Sequence, residues 1–400
     1  VLCDEVVSYH RMEREGQTMG AHTYKLGAFV THANTIRSFL AQGPEVNRDA
    51  MFEAFFDYLD RTHWTATKQA QPAATALVRR GFGEVYRRSL ELAPSAAVPP
   101  RVRSKLEADM TAYPNVDLTI VIPVFNSSDL IRNTLDSVLA MRGISFNVIL
   151  ADDGSTDDSL AVIQEYETRH ANVHVFAQGN RGAGRARNSV IPLCTGRYTF
   201  FLDADDLVDS KSLAAVRHAD ADASDLLFMK YRIDFTDEGR SQGMFKSDLK
   251  IWDRLPQATS NAERQKLVAQ LINYPWNRII RTSLLHDANI FFGATIVHND
   301  VQFHWHSIVS ATNISYLDVE ACSHRKFATR QQVTNVNDAR RMVVLDALRA
   351  TNERISVLPA YSNVQDEWAK FALHLLEWAK SRVPETLQVE YAERSAALAR

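Results

Sequence analysis

The sequence is poor in cysteine, in net charge and in long apolar runs, and each shortage excludes a class of protein. Its 400 residues contain only Cys3, Cys194 and Cys322, which are too few and too far apart for a disulfide framework or a zinc site. This cysteine content is typical of a reducing compartment, so we expect a cytoplasmic location. A formal net charge of −3 gives no reason to expect a nucleic-acid partner.

Membrane-spanning runs and the common phosphate-binding loops are also missing. No apolar run approaches the roughly 20 residues that span a bilayer. No Gly-x-Gly-x-x-Gly turn follows the first predicted strand, and no Gly-x-x-x-x-Gly-Lys-Ser/Thr occurs, which disfavours dinucleotide folds and P-loop ATPases. The remaining composition, 46% apolar and 23% charged, is that of an ordinary globular protein. The length predicts two or three domains.

From Leu118 the sequence alternates between strand-like and helix-like patterns. The predicted strands are residues 118–124, 146–151 and 173–176 and the apolar run that begins at Tyr198. Regular alternation of this kind predicts a parallel sheet covered by helices, with ligands bound where the strand ends open into a crevice.

Two carboxylates follow the last of these strands. Asp203 and Asp205 are two residues apart, so in an extended chain both side chains point to the same face. Because like charges repel, we expect a cation between them, and Mg²⁺ or Mn²⁺ holding a diphosphate is the usual occupant of an all-oxygen site. The alternative is a solvated acidic turn.

Several motifs together resemble those of the family 2 glycosyltransferases. The donor-side motifs are Pro123-Val-Phe-Asn126, Asp152-Asp-Gly-Ser-Thr-Asp157, Asn180-x-Gly-x-x-x-Ala-Arg-Asn188 and Phe201-Leu-Asp-Ala-Asp-Asp206. The acceptor-side motifs are Pro275-Trp-Asn-Arg278, His298-Asn-Asp300 and Ser323-His-Arg325. The resemblance covers about residues 117–335. It implies an α/β domain of the GT-A fold that inverts the sugar configuration and uses a nucleotide-sugar donor.

The resemblance implies a nucleotide site at the ends of the first two strands. Asp152 or Asp153 would accept a hydrogen bond from the pyrimidine base. The segment that includes Pro123, Phe125 and Asn126 would line the nucleotide. The alternative for the second motif is that Asp153-Gly-Ser forms only a turn.

The resemblance also implies a metal and diphosphate site. Asp203 and Asp205 would hold Mn²⁺ or Mg²⁺, and Ala204 between them would lie against the nucleotide-sugar. Arg187 would face the phosphates or brace Asp203, with a surface helix charge as the alternative. Asp206 would be structural.

Two further motifs are assigned to the phosphate and acceptor sides. Arg325 suits a bidentate phosphate clasp, and His324 would be a third metal ligand or a phosphate donor. We predict that both follow a strand at residues 314–317, and the alternative is ordinary surface chemistry. Trp276 would pack on the acceptor, with core packing as the alternative.

Inverting transfer needs one base that takes the proton of the acceptor hydroxyl. The family places this base as the Asp of a Glu-Asp pair, which makes Asp300 the candidate here. Asn299 stands in place of the Glu and is assigned to acceptor binding. This departure supports an alternative, in which a degenerate module binds donor or glycan without turnover. Asp300 could also be only a helix cap.

We predict three segments: helical residues 1–95, a GT-A domain at 96–335 and helical residues 336–400. Five residues near the N-terminus recur at an offset of 314, namely Asp4, His10, Arg11, Gln17 and Trp64, as Asp318, His324, Arg325, Gln331 and Trp378. This echo, with a start at Val1 instead of Met, predicts a fragment of a tandem enzyme whose preceding glycosyltransferase module ends in residues 1–95. The alternative is a helical accessory domain.

The expected reaction is transfer from a UDP-sugar to a growing surface glycan, such as a capsule or lipopolysaccharide chain. Lipid-linked acceptors would bring the protein to the inner face of the membrane as a peripheral contact. The rival enzyme is a phosphatase of the haloacid dehalogenase type, which also has Asp-x-Asp after a strand. That chemistry needs Thr or Val where Leu207 stands.

Overall fold

The computed structural model describes part of the chain, namely residues 36–37, 51–56, 72–93, 98, 103, 108, 113–210, 216, 223–328 and 337–398. The chain divides into two compact units. One comprises residues 1–115, 174–177 and 189–195, and the other comprises residues 116–173, 178–188 and 196–400. All the candidate site residues lie in the second unit.

The strands, in chain order, are β1 (Leu118–Val124), β2 (Phe146–Asp152), β3 (Val173–Ala177), β4 (Tyr198–Phe201), β5 (Leu207–Val208), β6 (Leu226–Phe235), β7 (Arg240–Gln242), β8 (Arg278–Arg281) and β9 (Ile314–Lys326). Within the second unit, hydrogen-bonded neighbours follow the order β2-β1-β4-β8-β6-β9-β5, and β7 pairs with β6.

The centre of the sheet is parallel, as predicted. Strand β1 pairs in parallel with β2 from Leu118 opposite Phe146 to Val124 opposite Asp152, and its other edge pairs in parallel with β4. All seven residues of β1 are buried, as expected for a parallel strand that is covered on both faces. The carboxyl ends of β1, β2 and β4 therefore meet at one edge of the sheet, which is where the polar motifs begin.

The rest of the sheet is mixed instead of mostly parallel. Strand β8 is antiparallel to both β4 and β6, whereas β9 runs parallel to β6. Strand β9 also continues to Lys326, well beyond the predicted end at residue 317. Register shifts around Lys230 of β6 let the pairing continue past the polar stretch 318–320, so His324 and Arg325 lie within the strand and not after it.

The helices are α1 (Pro72–Leu92), α2 (Ile131–Leu139), α3 (Ser159–Arg169), α4 (Ala183–Val190), α5 (Lys246–Trp252), α6 (Asn261–Val268), α7 (Thr282–Asp287), α8 (Asn299–Ser310), α9 (Val343–Ile355), α10 (Gln365–Lys380) and α11 (Gln388–Leu398). None of the described helices is long and apolar enough to cross a membrane.

Helix α8 is fixed in the core by aromatic contacts. Phe303 stacks on Phe292 at 4.4 Å between ring centroids and meets the edge of Phe201, the last residue of β4, at 5.1 Å. On the other side Trp305 contacts Trp368 of α10 at 5.0 Å. Because these rings are buried, the first turn of α8 is held at a defined position beside the end of β4.

The first unit is described mainly through α1. This helix begins with Pro72, which suits a first helical position because proline lacks the amide hydrogen. Tyr86 meets the edge of Phe56 at 5.5 Å, and Phe56 belongs to a helical stretch at residues 51–56. The N-terminal members of the 314-residue echo lie outside the described residues, so the predicted preceding module stays a prediction.

Candidate active site

Three carboxylates form an acidic cluster immediately after β4. Oxygens of Asp203, Asp205 and Asp206 all lie within 4.8 Å of one another. Burial, followed by the negative charges of Asp206 and Asp203, raises the pKa of Asp205 to about 7. A cluster of oxygen ligands whose negative charge is this poorly compensated fits a divalent cation such as Mg²⁺ or Mn²⁺.

Asp206 joins the cluster to β9. Its carboxylate is fully buried, lies 3.0 Å from His324 Nδ1 and accepts the backbone N–H of Arg325 at 2.9 Å. The ring nitrogen of His324 that is left for a ligand is therefore Nε2. The guanidinium of Arg325 donates through Nε to the backbone carbonyl of Asp205 and through Nη2 to Thr134 Oγ1 at 3.3 Å. His324 and Arg325 therefore both lie at the acidic cluster, and the guanidinium of Arg325 binds the backbone of Asp205.

Arg187 connects the acidic cluster to the start of α8. It is 4% exposed and donates through Nη2 to Asp203 and through Nη1 to Asn299 Oδ1 at 3.3 Å. Its guanidinium also lies 4.7 Å from the centre of the Phe292 ring. The structure thus supports bracing of Asp203 over a surface helix charge.

Close backbone packing makes the link from α4 to α8 possible. A Cβ atom at Gly184 would lie 2.5 Å from the carbonyl oxygen of Gly293 and 2.7 Å from Cβ of Asn299. Only glycine allows this approach. Gly293 N–H in turn donates to the carbonyl oxygen of Asn299 at 2.6 Å, so both glycines fix the residue next to the candidate base.

Asp300 is the second residue of α8 and is half-buried. Burial raises its pKa to about 6, against the lowering effects of backbone hydrogen bonding and of the positive charge of Arg187. A general base works best when its pKa lies near the operating pH. The pKa of Asp300 is therefore closer to neutrality than that of an ordinary aspartate.

His298, which precedes Asn299 and Asp300, contacts the C-terminal helical segment. His298 has φ of 63° and ψ of 21°, a left-handed conformation that is uncommon for a residue other than glycine. Its ring meets the edge of Trp378 of α10 at 5.8 Å, and Arg341 Nη1 lies 3.4 Å from its Nε2. Sequence reasoning gave no functional role to His298 or Trp378. The echo contained Trp378, but only as a sign of repetition.

On the nucleotide side, the ends of β1 and β2 are tied together. Asn126 has φ of 47°, donates its N–H to Ser155 Oγ at 3.1 Å and accepts the N–H of Thr156 at 2.8 Å. The neighbouring Phe125 is 45% exposed and offers its ring at the edge of the sheet. Pro123, Phe125 and Asn126 thus border the loop that the second motif forms.

The two carboxylates of the second motif are engaged with backbone donors. Asp153 accepts from Gln178 Nε2 at 2.7 Å and from the N–H groups of Arg181 at 2.9 Å and Gly182 at 2.7 Å. Asp152 accepts from the N–H of Gly154 through Oδ2 at 3.1 Å, and its Oδ1 has no hydrogen-bond partner among the described residues. Asp153 thus binds the loop at residues 178–182 through these hydrogen bonds. Recognition of the pyrimidine base by Asp152 or Asp153 stays a prediction.

Trp276 is fully buried and offers no exposed face to an acceptor in this structure. Its ring stacks on Tyr274 at 4.3 Å and on His324 at 5.2 Å, and it meets the edge of Tyr231 at 5.2 Å. Trp276 therefore packs in the core, which was the alternative to acceptor binding. The sequence analysis did not identify Tyr274 and Tyr231 as parts of this site. The only available signal was the position of Tyr274 directly before the Pro-Trp-Asn-Arg motif.

Comparisons with known proteins agree with this geometry. A family model described as "Glycosyl transferase family 2" matches residues 119–288. The chain is 36% identical over 113 residues to chondroitin synthase of Escherichia coli, covering 28% of this chain and 16% of the synthase. It is 27% identical over 229 residues to poly(ribitol-phosphate) beta-N-acetylglucosaminyltransferase TarS of Staphylococcus aureus (strain Mu50), covering 55% and 37% respectively.

A solved structure shows the same fold. The crystal structure of an S. aureus TarS fragment in complex with UDP-GlcNAc has a TM-score of 0.50 at 20% identity, covering 70% of this chain and 87% of that one. The α/β fold predicted from the sequence is thereby confirmed. The family 2 glycosyltransferase model matches residues 119–288, and the matched segments span only 16% and 37% of the two relatives' own lengths.

Proposed function

We propose that this protein is a metal-dependent, inverting hexosyltransferase that moves a sugar from a UDP-sugar to a hydroxyl of a growing surface glycan of the capsule or lipopolysaccharide type. The observation that carries the proposal is the position of Arg187, whose two ends contact Asp203 of the acidic cluster and Asn299 beside the candidate base. A single buried side chain thus links the donor half of the site to the acceptor half.

The residues have distinct roles in this proposal. Asp203 and Asp205, with His324 through its Nε2, would hold Mn²⁺ or Mg²⁺, which supplies charge neutralisation for the departing diphosphate when bound. Asp300 takes the proton of the acceptor hydroxyl as that oxygen attacks the anomeric carbon. Arg187 keeps Asp203 and the start of α8 in a fixed relation. No covalent protein intermediate is needed, because a direct displacement inverts the anomeric centre.

The donor and the acceptor are supported less directly. The TarS fragment of similar fold was crystallised in complex with UDP-GlcNAc, which supports a uridine nucleotide as the donor carrier here. The relatives are named for the synthesis of chondroitin and the glycosylation of poly(ribitol phosphate), which supports a polymeric acceptor. A lipid-linked glycan and a peripheral place at the cytoplasmic face of the membrane belong to this proposal.

A second candidate is a degenerate module that binds nucleotide-sugar or glycan without turnover. The observation that favours it is the amide of Asn299 beside Asp300, where the family pattern has a carboxylate. With Asn at this position, Arg187 has only one carboxylate, that of Asp203, among its described hydrogen-bond partners.

Calorimetric titration of UDP, GDP and CMP, each with and without Mn²⁺, tests the proposal. We expect UDP binding that requires Mn²⁺ and is lost in the double variant Asp203→Asn/Asp205→Asn. Transfer from the matching UDP-sugar, detected as UDP release, then separates the enzyme from the degenerate module. A folded protein that binds no nucleotide in any of these titrations contradicts the enzyme and favours a degenerate module that binds glycan.

A further inference from the structure

An open cavity of about 680 Å³ lies beside α5, away from the acidic cluster. Its size falls within the ~300–1,000 Å³ range of sites for small molecules. The apolar part of its lining consists of Met244, Phe245 and Ile272, and the polar rim includes Gln242, Lys246 and Ser247. A flat apolar face with a polar rim suits a pyranose ring, which has a face of C–H bonds and a circumference of hydroxyl groups.

The cavity is connected to the active site through a layer of aromatic rings. Phe245 lies 6.4 Å from Tyr231 between ring centroids, and its N–H lies 3.4 Å from the Tyr231 hydroxyl. Tyr231 meets the edge of Tyr274 at 5.8 Å, and Tyr274 lies 5.2 Å from His324 at the acidic cluster. The rings thus form a series of packed contacts, through the buried Tyr231, from His324 to the wall of the cavity.

Strand β9 also connects the acidic cluster to the cavity. His324 and Lys326 are two residues apart in a regular part of the strand, so their side chains lie on the same face about 6.6 Å apart along the chain. The burial pattern agrees, because both are half-buried while Arg325 between them is buried. The ammonium of Lys326 lies 4.9 Å from the centre of the Phe245 ring.

The lysines at the cavity lack anionic partners. Neither Lys246 nor Lys326 forms an ion pair with a carboxylate among the residues that the structure describes. The buried Asp248 of α5 accepts hydrogen bonds from the Tyr231 hydroxyl at 2.9 Å and from Ile272 N–H at 3.3 Å, so its carboxylate is engaged within the protein.

We propose that this cavity is an acceptor subsite that binds an acidic unit of the glycan chain, with the unit stacked on Phe245 and its anionic group paired with Lys326 and Lys246. This inference rests on the proposed function and names the acceptor class: a chain that carries a carboxylate or a phosphate near the unit that receives the sugar. The ring contacts from His324 to Phe245 and the face shared by His324 and Lys326 place the acidic unit a short distance along the glycan chain from the transfer site.

Binding of three defined chains to the whole protein tests the subsite. Hyaluronan tetrasaccharide carries carboxylates, a glycerol phosphate oligomer carries phosphates, and chitotetraose is a neutral chain of sugars. We expect one of the two anionic chains to bind the wild type more tightly than chitotetraose, with an affinity that falls as NaCl is raised. Which anionic chain binds distinguishes carboxylate from phosphate. Lys326→Met should weaken that binding roughly tenfold, and Phe245→Ala should weaken it through loss of the stacking face.

Lys370→Met is the matched control, because it removes an exposed lysine from α10. Its affinity for each chain should equal that of the wild type. The inference is overturned if no chain binds, if chitotetraose binds as tightly as both anionic chains, or if Lys326→Met behaves like Lys370→Met. Mn²⁺-dependent UDP binding, measured on the same variants, reports separately on the proposed function and should be unchanged.

Discussion

Strands β2 and β4, which flank β1 in the sheet, both end in carboxylates, and the surroundings of the two carboxylate groups differ. After β2, Asp153 accepts three hydrogen bonds from N–H donors, and its charge is thereby compensated within the protein. After β4, three carboxylates share a space in which their oxygens lie within 4.8 Å of one another, and the pKa of Asp205 rises to about 7. Asp153 thus has N–H partners on both of its oxygens, although Oδ1 of Asp152 beside it has none among the described residues, whereas the carboxylates of the acidic cluster repel one another.

Backbone geometry accounts for much of the difference. Gly154 has φ of 74°, and a Cβ there would lie 2.8 Å from the backbone nitrogen of Asn180. This turn lets the N–H groups of Gly154 and Ser155 come back to Asp152. The residue between Asp203 and Asp205 is alanine, and the side chain that reaches Asp203 is the guanidinium of Arg187. Asp203 is thus reached by a side chain, whereas Asp152 and Asp153 are reached mainly by backbone donors.

The largest effect is expected at Asp300. We assign this carboxylate to proton transfer, and it belongs neither to the pair Asp152 and Asp153 nor to the acidic cluster. Asp300→Asn keeps the shape of the side chain but removes the base, so kcat should fall about 10²–10⁴-fold. Mn²⁺-dependent UDP binding should stay as in the wild type, because Asp300 is not part of the acidic cluster. Steady-state rates of UDP release together with calorimetry measure both quantities.

Asp253→Asn, at an exposed position after α5, is the control and should leave both quantities unchanged. If Asp300→Asn retains the wild-type kcat, Asp300 only caps or packs the start of α8.

Removing Asp153 should destabilise the fold. Asp153→Ala leaves the side-chain amide of Gln178 and two backbone N–H groups without their acceptor, which costs about 3 kcal/mol in the free energy of unfolding. Urea denaturation measures this cost. Asp158→Ala, in the same segment but exposed, should change the free energy by less than about 0.5 kcal/mol. Equal effects of the two variants would mean that Asp153 is not held as described.

The sequence predicted the donor half of the molecule well because its signals are local. The bounds of β1 were predicted without error, and β2 and β3 each extend one residue further, since each is a short apolar run that ends in polar residues. Asp203 and Asp205 were singled out from their spacing after one strand, whereas Asp206, the third member of the acidic cluster, was expected to be structural.

The acceptor half depends on contacts between distant residues, which no local pattern shows. Arg187 and Asn299 are 112 residues apart in the chain, and no local pattern indicated that a buried guanidinium joins them. The polar stretch 318–320 ended the predicted strand, whereas pairing with β6 extends β9 to Lys326. Trp276 was assigned to the acceptor because of its motif, but its burial is decided by the rings of Tyr274 and His324.

The pH dependence of the reaction follows from the raised pKa of Asp300. The base acts in its ionised form, so kcat/KM should be constant above the pKa of about 6 and fall as the pH drops through it. The limiting slope is about tenfold per pH unit, because one proton inactivates the base. Rates at fixed Mn²⁺ between about pH 5 and 8 measure the profile. A profile that is flat down to pH 5 would show that the group which must be ionised is more acidic than Asp300.

The smallest expected effect is a gain in stability, opposite to the loss expected for Asp153→Ala, and it tests the acidic cluster directly. In metal-free protein, Asp205→Asn removes one of three mutually repelling charges, so the free energy of unfolding should rise by about 1 kcal/mol. Mn²⁺ should raise the melting temperature of the wild type, since a ligand that binds only the folded state stabilises it, and should do so much less for the variant. Asp153→Ala should lower the melting temperature and keep the Mn²⁺ effect. If instead Asp205→Asn destabilises the metal-free protein and keeps the Mn²⁺ effect, both groups are structural, and the contrast between the two strand ends does not hold.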